Sequence, residues 1–372
     1  MTATPLKPLI MLTAGGTGGH VFPAEALASV LLDRGYRLAL VTDRRGAVYG
    51  GTLGSLETFR VSAGAVAGRS LFARLKAFAA LGQGVIQALG ILKAQRPAAV
   101  IGFGGYASVP TVAAGILLGI PTAVHEQNAV LGRANRLLAN YVQTVATSYT
   151  QVERLPKSVP ATLTGMPVRP AVTKLTGHSY HSPDGNGPIR ILVLGGSQGA
   201  RVFSEVIPEA LAELPPDMKQ RLDISQQCRP EDLEIVKAAY ARAGINATLA
   251  SFFNDVPARM AGAHLVIARS GASTLAEISA LGRPAILVPY PFSADNDQLA
   301  NAMSLASQGG AWCMPQDEFT APALAQRLTY LFDHPQALEE TALRARQASR
   351  PDAALRLADM AETLTSSKDA PQ

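Results

Sequence analysis

Residues 9–28, "LIMLTAGGTGGHVFPAEALA", indicate the class of fold. It runs from an apolar segment through a glycine-rich loop into a segment with helix-like spacing of apolar residues. A buried strand, a Gly-rich turn and a helix are the opening unit of a doubly wound α/β sheet. Such a loop either makes only a tight turn or presents backbone N–H groups to a phosphate at the start of the helix.

The same arrangement returns as "IRILVLGGSQGARVFSEVIPEAL", residues 189–211. Each half then continues with a second apolar strand that ends near glycine, "AVIGFGGYASVPTVAAG" in the first and "LVIARSGASTLAEISA" in the second. Strands separated by helical segments imply parallel sheets. We therefore predict an α/β protein with two Rossmann-like doubly wound parallel-sheet domains that face a deep cleft, where the ligands bind.

The predicted domains are residues 1–165 and 166–341, with helices at about 342–365 packing back on the first domain. A length of 372 residues favours two domains, and 48% hydrophobic against 16% charged residues favours large cores over disorder. Cys228 and Cys313 show no disulfide or zinc spacing, which indicates a reducing compartment. The N-terminus is a poor secretion signal, which favours the cytoplasm.

Residues 97–124 carry no charge and exceed the length of a membrane span. Pro110, Pro121 and the Gly104–Gly105 pair interrupt this segment. Two buried strands flanking a short helix are therefore the better prediction.

Charge is distributed unevenly along the chain. Residues 1–168 hold 15 Lys and Arg against 6 Asp and Glu, although the net charge of the whole chain is only +5. No acidic residue lies between Glu57 and Glu126, whereas six basic residues do. This asymmetry predicts that the N-terminal half is attracted to an anionic surface or substrate.

A nicotinamide dinucleotide is one alternative ligand for the glycine loops. Neither "GGTGGH" nor "GGSQGA" has the three-glycine fingerprint of such sites. The best candidate for the ribose-binding acid, Asp43, lies 24 residues after Gly19. A third loop of this kind, "RSGAST" at 269–274, favours a nucleotide or pyrophosphate ligand instead.

Seven motifs together resemble the MurG family, which transfers N-acetylglucosamine (GlcNAc) from UDP-GlcNAc to the undecaprenyl-linked muramyl-pentapeptide lipid I and so forms lipid II. The motifs occur in the family's order and span nearly the whole chain: "GGTGGHVFPA", "GFGGYASVP", "HEQNAVLGRANR", "TGMPVR", "GGSQGA", "RSGASTLAE" and "DNDQLANA". The resemblance implies a GT-B glycosyltransferase that inverts the anomeric centre and needs no metal or other cofactor. It also implies a role in peptidoglycan biosynthesis.

The resemblance implies that the C-terminal domain binds most of UDP-GlcNAc. Phe253 would offer backbone groups to uracil, and Glu277 would bind the ribose hydroxyls. Asp297 and Gln298 would form hydrogen bonds with the hydroxyls of the sugar. Glutamine is common in the family at the position of Asp297. The residues assigned to the donor are Thr17, Gly18, Gly19, Asn128, Arg169, Ser197, Phe253, Ser273, Thr274, Leu275, Glu277, Asp297 and Gln298.

The first glycine loop would hold the acceptor's diphosphate, with Gly15, Gly16 and Tyr106 on the acceptor side. Inversion requires a base that takes the proton of the muramyl 4-hydroxyl, and an imidazole with a pKa near neutrality suits that task. His20 is the first candidate for this base and Glu126 is the rival, whereas His20 as a phosphate ligand is the alternative left open. No metal site is predicted.

The segment "GRSLFARLKAFAALGQGVIQAL", residues 68–89, combines Leu71, Phe72, Leu75 and Phe78 with Arg69, Arg74 and Lys76. Such a helix either faces the core or lies on an anionic membrane surface. We favour membrane contact, which predicts a peripheral protein on the cytoplasmic face of the inner membrane. Other cell-wall synthesis and division proteins are further candidate partners.

Two rival functions remain open at this point. One is another GT-B enzyme, either a glycolipid glycosyltransferase or a UDP-GlcNAc 2-epimerase. The other is a nucleic-acid-binding module, suggested by a pI of 9.3. Because few aromatic residues accompany the basic stretch and no nucleic-acid motif occurs, we predict no nucleic-acid partner.

Overall fold

The computed structural model describes residues 7–15, 18–43, 51–64, 71–196 and 199–366, with the backbone alone for 71–75. The chain divides into two compact units, Met1–Arg169 with Arg350–Gln372, and Pro170–Ser349. Each unit is built on one parallel sheet with helices around it. The predicted class, two Rossmann-like parallel-sheet domains, is confirmed.

The first unit contains a sheet of seven parallel strands within the described residues. These strands are β1 Leu9–Thr13, β2 Arg37–Thr42, β3 Glu57–Arg60, β4 Ala99–Gly102, β5 Thr122–Glu126, β6 Thr144–Thr147 and β7 Ala161–Leu163. The helices between them are α1 Gly18–Asp33, α2 Gly51–Gly54, α3 Leu71–Gln95, α4 Val109–Leu117 and α5 Arg133–Leu138. The strand order β3-β2-β1-β4-β5-β6-β7 reverses direction between β1 and β4, and this reversal is where ligands bind in open α/β sheets.

Local sequence explains the elements around this reversal. All five residues of β1 are buried, as expected for a parallel strand covered on both faces. Helix α1 buries Ala24, Leu27 and Leu31, which recur at helical spacing and face the core. The uncharged segment 97–124 forms β4, α4 and β5, which confirms the prediction of two buried strands around a short helix.

The second unit contains six parallel strands within its described residues. These are β8 Ile189–Leu194, β9 Leu222–Gln227, β10 Asn246–Ala250, β11 Leu265–Ala268, β12 Ala285–Leu287 and β13 Trp312–Cys313. The α-helices are α6 Pro170–Thr173, α7 Arg201–Ala212, α8 Pro216–Gln220, α9 Leu233–Ala243, α10 Val256–Gly262, α11 Ala272–Leu281, α12 Asp297–Ala306, α13 Ala321–Asp333 and α14 Pro335–Ala348. The strand order β10-β9-β8-β11-β12-β13 reverses between β8 and β11.

The final helix, α15 Ala353–Ser366, belongs to the first unit and packs on α1 and β4. Leu357, Ala358 and Ala361 are fully buried in the core of that unit. Arg34 near the end of α1 makes 2.8 Å ion pairs with Asp359 and Glu362. Exposed ion pairs contribute little free energy, so apolar burial is the main reason that α15 docks here.

Helix α3 differs from its neighbours in the apolar surface that it exposes. Within the described residues, Lys76–Gln95 is the one helical segment long and apolar enough to cross a membrane, by length and composition alone. Phe78 and Ile86 on this helix are 59% and 72% exposed, whereas Ala77, Leu81 and Ala88 are buried. The helix therefore has both a core-facing side and an exposed apolar side.

Candidate active site

The residues predicted to act on the acceptor gather where the sheet of the first unit reverses. His20 lies in the first turn of α1, directly after the glycine loop. Gly104 and Gly105 follow β4, and Glu126 is the last residue of β5. Because the carboxyl ends of neighbouring parallel strands meet at one edge, these residues come together although they are up to 106 positions apart.

His20 rests on the turn made by Gly104 and Gly105, whose φ angles are +83° and +70°. A Cβ atom at Gly104 would lie 3.2 Å from His20 Cε1, and one at Gly105 would lie 3.3 Å from His20 Cδ2. Glycine is therefore required here both for the left-handed backbone and for the space that the ring occupies. Burial lowers the pKa of His20, and hydrogen bonds to Gln127 and to the Phe103 carbonyl raise it by a smaller amount. The imidazole is therefore neutral near pH 7.

Gln127 connects His20 to the interior of the unit. Its Oε1 lies 3.2 Å from His20 Nδ1, and its Nε2 donates to the Phe103 carbonyl at 2.9 Å. The same Nε2 lies 3.1 Å from Nδ1 of His125, a fully buried residue. Gln127 lies in the motif "HEQNAVLGRANR" but was not among the predicted site residues. Its position as a polar residue directly after the buried strand β5 was the available signal.

Glu126 accepts four hydrogen bonds from the loop that follows β5 and from helix α5. Oε1 accepts from the backbone N–H and the side-chain amide of Asn128 at 3.0 and 3.3 Å, and Oε2 accepts from the N–H of Gly132 and from Asn135 Nδ2, both at 2.8 Å. The residue is 1% exposed. Burial raises the pKa of Glu126, although the four donors favour its ionised form. The carboxyl group thus holds residues 128–135 in place.

The other residues predicted in the first unit surround this cluster. Tyr106 is half-buried next to the two-glycine turn. A Cβ atom at Gly15 would lie 3.3 Å from Ala107 Cβ, so Gly15 packs closely on that turn. The Arg169 guanidinium lies 4.8 Å from the centre of the Phe22 ring. Phe22 is in helix α1, two positions after His20, and this helix begins with Gly18 and Gly19. Arg169 is therefore adjacent to the start of α1.

Four of the residues predicted to bind the donor lie in helix α11, next to the point where the sheet of the second unit reverses. Helix α11 begins just beyond β11, so its first N–H groups face the carboxyl edge of the sheet. Ser273 and Thr274 lie in its first turn, and the buried Ser273 Oγ has no hydrogen-bond partner within the described residues. Leu275 and Glu277 are buried, Glu277 being only 4% exposed. A buried carboxylate one turn into a helix is suited to bind hydroxyl groups.

Asp297 and Gln298 open helix α12 beside the start of α11. Ser270 Oγ donates to the Gln298 carbonyl at 2.7 Å, and Gln298 Oε1 accepts from the Tyr290 N–H at 3.0 Å. Asp297 Oδ1 is a buried atom with no hydrogen-bond partner in the described part of the chain. Burial raises the pKa of Asp297.

Arg269 is a further charged group at this edge that the sequence analysis did not select. Its guanidinium donates to the carbonyls of Val288 and Pro289 at 3.1 and 3.0 Å and to Gln316 Oε1 at 2.6 Å. All three acceptors are neutral, and burial lowers the pKa of Arg269. A buried guanidinium with neutral partners at the carboxyl end of β11 favours an anion nearby.

The remaining predicted residues are distributed as follows. Phe253 follows β10, is buried, and has the Arg259 guanidinium 4.4 Å above its ring. Gly16, Thr17 and Ser197 lie outside the described residues. Among the residues that are described, no group of three or more His, Cys, Asp or Glu side chains is arranged to hold a metal ion.

Comparisons with known proteins identify the family of the chain. Residues 10–147 match the glycosyltransferase family 28 N-terminal domain, and residues 190–357 match the glycosyltransferase family 28 C-terminal domain. A protein of Paramagnetospirillum magneticum is 64% identical over 95% of this chain and 96% of its own length, and one of Rhodospirillum rubrum is 56% identical over 94% and 90%. Both are named "UDP-N-acetylglucosamine--N-acetylmuramyl-(pentapeptide) pyrophosphoryl-undecaprenol N-acetylglucosamine transferase".

Among solved structures, MurG of Acinetobacter baumannii is similar with a TM-score of 0.76 and 31% identity, over 96% of this chain and 99% of that one. The matches to the two curated relatives cover 95% and 94% of the chain and therefore extend over both units. The chain therefore belongs to glycosyltransferase family 28 and, within it, to the MurG family of N-acetylglucosaminyltransferases.

Proposed function

We propose that the protein transfers GlcNAc from UDP-GlcNAc to the 4-hydroxyl of the muramyl residue in lipid I, with inversion at the anomeric carbon. The names of the relatives support these two substrates. The observation that carries the proposal is the placement of a neutral imidazole, His20, in the first turn of α1 and against the Gly104–Gly105 turn. A neutral imidazole at such an edge is suited to accept a proton from a bound hydroxyl.

In the proposed reaction the acceptor oxygen attacks the anomeric carbon of GlcNAc while its proton passes to His20. The new bond joins that oxygen to the anomeric carbon, and the bond from this carbon to the β-phosphate oxygen breaks. UDP leaves with the electron pair. Its negative charge is stabilised by helix N-termini, by hydroxyl groups and by arginine side chains, so that this stabilisation is electrostatic.

We assign the donor to the second unit. The start of α11 supplies N–H groups and the unpartnered Ser273 Oγ to the diphosphate, and the buried Glu277 binds the ribose. Asp297 and Gln298 read the sugar hydroxyls. Arg269 adds a positive charge at the same edge. This charge favours binding of the diphosphate by long-range electrostatic attraction rather than by a direct contact.

We assign the base to His20 rather than to Glu126. Both oxygens of Glu126 accept two N–H groups each, and the residue is almost completely buried. Moving a proton to this carboxylate would remove acceptors that hold the loop after β5. His20 is only partly buried, and its ring presents a nitrogen that is not bonded to Gln127.

We propose that the protein is peripheral on the cytoplasmic face of the inner membrane and that α3 contacts the anionic lipid surface. Support comes from the exposed Phe78 and Ile86 on this helix and from the absence of acidic residues between Glu57 and Glu126. The lipid tail of the acceptor can then stay in the bilayer while its head group reaches the first unit. The structure does not describe Arg69 or the side chains of four further residues predicted to contact the membrane, Leu71, Phe72, Arg74 and Leu75.

The proposal is tested by incubating the protein with radiolabelled UDP-GlcNAc and a short-chain lipid I analogue in the presence of EDTA. We expect label to enter the lipid product, with a new β-1,4 link to the muramyl residue, and the rate to be unaffected by the chelator. Conversion of UDP-GlcNAc to its 2-epimer without acceptor would instead favour the epimerase. Transfer to diacylglycerol but not to the lipid I analogue would favour a glycolipid transferase.

A further inference from the structure

A chain of hydrogen bonds runs from His20 into the core of the first unit and ends at a backbone carbonyl. At its inner end, His125 Nε2 lies 3.1 Å from the carbonyl oxygen of Gly165. Because a carbonyl can only accept, Nε2 of His125 must carry the proton. His125 is fully buried, and burial lowers its pKa to about 4, so the ring is neutral and its Nδ1 is an acceptor.

The next member, Gln127, has only one orientation that satisfies its surroundings. Its Nε2 lies 2.9 Å from the Phe103 carbonyl, 3.1 Å from the His125 carbonyl and 3.1 Å from His125 Nδ1. All three of these neighbours are acceptors, so the atom that faces them must be the NH2 group. The amide oxygen of Gln127 therefore points at His20 Nδ1, 3.2 Å away.

The order of donors and acceptors in this series of hydrogen bonds thus determines which nitrogen of His20 carries the proton. An amide oxygen can only accept, so Nδ1 of His20 is the protonated nitrogen and Nε2 of the neutral ring holds the lone pair. We infer that Gln127 is a positioning residue that holds His20 in the Nδ1–H tautomer and so makes Nε2 the atom that accepts the acceptor's proton. This inference rests on the proposed function, which assigns His20 as the base.

An amide in this position has a different effect from a carboxylate. In hydrolases with a Ser-His-Asp triad, a buried carboxylate fixes the histidine tautomer and also stabilises the imidazolium. Gln127 fixes the tautomer without adding a negative charge. The His20 ring therefore stays neutral and ready to accept a proton, which fits the lowered pKa of this residue.

The first test is direct observation of the tautomers by nitrogen NMR of the full-length protein labelled at histidine, at a pH above neutrality. We expect the His20 signals to show a protonated Nδ1 and an unprotonated Nε2, and those of His125 to show the reverse. Spectra of His20→Ala and His125→Phe assign the signals among the six histidines. A protonated Nε2 on neutral His20 overturns the inference, whatever the activity of the protein.

The second test replaces Gln127 by methionine, which has a similar shape but neither the amide donor nor the amide oxygen. We expect kcat to fall by about ten- to a hundredfold with KM for UDP-GlcNAc unchanged. The acidic limb of the pH–rate profile should move to lower pH, because the amide oxygen no longer stabilises the Nδ1–H of the imidazolium. The His20 signals should then show a mixture of tautomers.

The matched control is Gln226→Met in the second unit. Gln226 is also fully buried, donates to the Phe203 carbonyl at 3.3 Å and accepts from the Tyr240 hydroxyl, so the control removes a comparable amide. We expect it to lower stability but to leave the pH profile and kcat unchanged. Equal kcat values in the two variants contradict the positioning role.

These tests separate the inference from the proposed function. If the tautomers are as stated but His20→Ala keeps full turnover, the tautomer assignment holds, whereas the role of His20 as the base is wrong. If His20→Ala is inactive but Gln127→Met keeps the wild-type tautomer and pH profile, the base assignment holds and the role of Gln127 is wrong.

Discussion

Replacing Gly104 by alanine tests whether the two-glycine turn positions His20. Gly104 has a φ of +83° and lies under the His20 ring, whereas Gly35 has the same φ of +83° with no atom within 4 Å of its would-be Cβ. Both substitutions force an L-residue into the left-handed region, which costs about 1–2 kcal/mol. Reduced freedom of the unfolded chain returns roughly 0.4–1 kcal/mol. Each variant should therefore lose on the order of 1 kcal/mol of unfolding free energy.

The two variants should differ in activity. Only the new methyl group at position 104 meets His20, at 3.2 Å from Cε1 and 3.3 Å from Nδ1, so the ring must move by a few tenths of an ångström. Since misplacement by 1 Å can lower a rate about a hundredfold, we expect kcat of Gly104→Ala to fall about tenfold. KM for UDP-GlcNAc should change little, because most of the donor is assigned to the other unit.

The assay combines urea unfolding of both variants with steady-state transfer to a soluble lipid I analogue. Gly35→Ala should match Gly104→Ala in stability and the wild type in kcat. Equal kcat in all three proteins would refute the reasoning that the Gly104 turn places the base. A much larger stability loss in Gly104→Ala would show that the ring cannot move aside.

Three further predictions concern the donor site and the membrane surface. Glu277→Ala should weaken UDP binding in calorimetry by roughly 1.5–3 kcal/mol, because charge-assisted bonds to the ribose are lost, and wild-type affinity would contradict this. Burial raises the pKa of Asp297, so the folded state holds this proton to a higher pH than the unfolded state does. The unfolding free energy of the wild type should therefore fall as pH rises through that raised pKa. Urea unfolding of Asp297→Asn across the acidic range should lack this fall. The double variant Phe78→Ser with Ile86→Ser should no longer sediment with anionic vesicles yet keep its thermal stability, whereas Ile235→Ser, an exposed residue of the second unit, should behave as the wild type.

Much of the fold could be predicted because the chain repeats one pattern. The apolar strands before Gly15 and Gly195 and the helical segments after them gave two parallel sheets, and the alternation of strands and helices allows few other arrangements. The interruption of residues 97–124 by Pro110 and by glycines correctly indicated two strands and a helix. These features depend on local sequence, which is why they can be read without coordinates.

The roles of individual polar residues depend on neighbours that are distant in sequence. The role proposed for Gln127 was not predicted, because it depends on the Phe103 carbonyl and His125 Nδ1 facing the same amide nitrogen. The contacts of Glu126 could not be predicted either, because its oxygens accept from residues up to nine positions away, including Asn135. Arg269 was overlooked because nothing local shows that its partners are all neutral.

Whether His20 takes the proton of the acceptor hydroxyl is measured by the pH dependence of kcat. The pKa of His20 is lowered by burial, so the wild-type rate should fall only when pH drops below the ordinary histidine value of 6.5. We expect His20→Ala to lose at least about a hundredfold in kcat together with this acidic limb, with UDP-GlcNAc binding retained, and Glu126→Gln to keep the limb. A limb that persists without His20 and disappears in Glu126→Gln would contradict the account and make Glu126 the base.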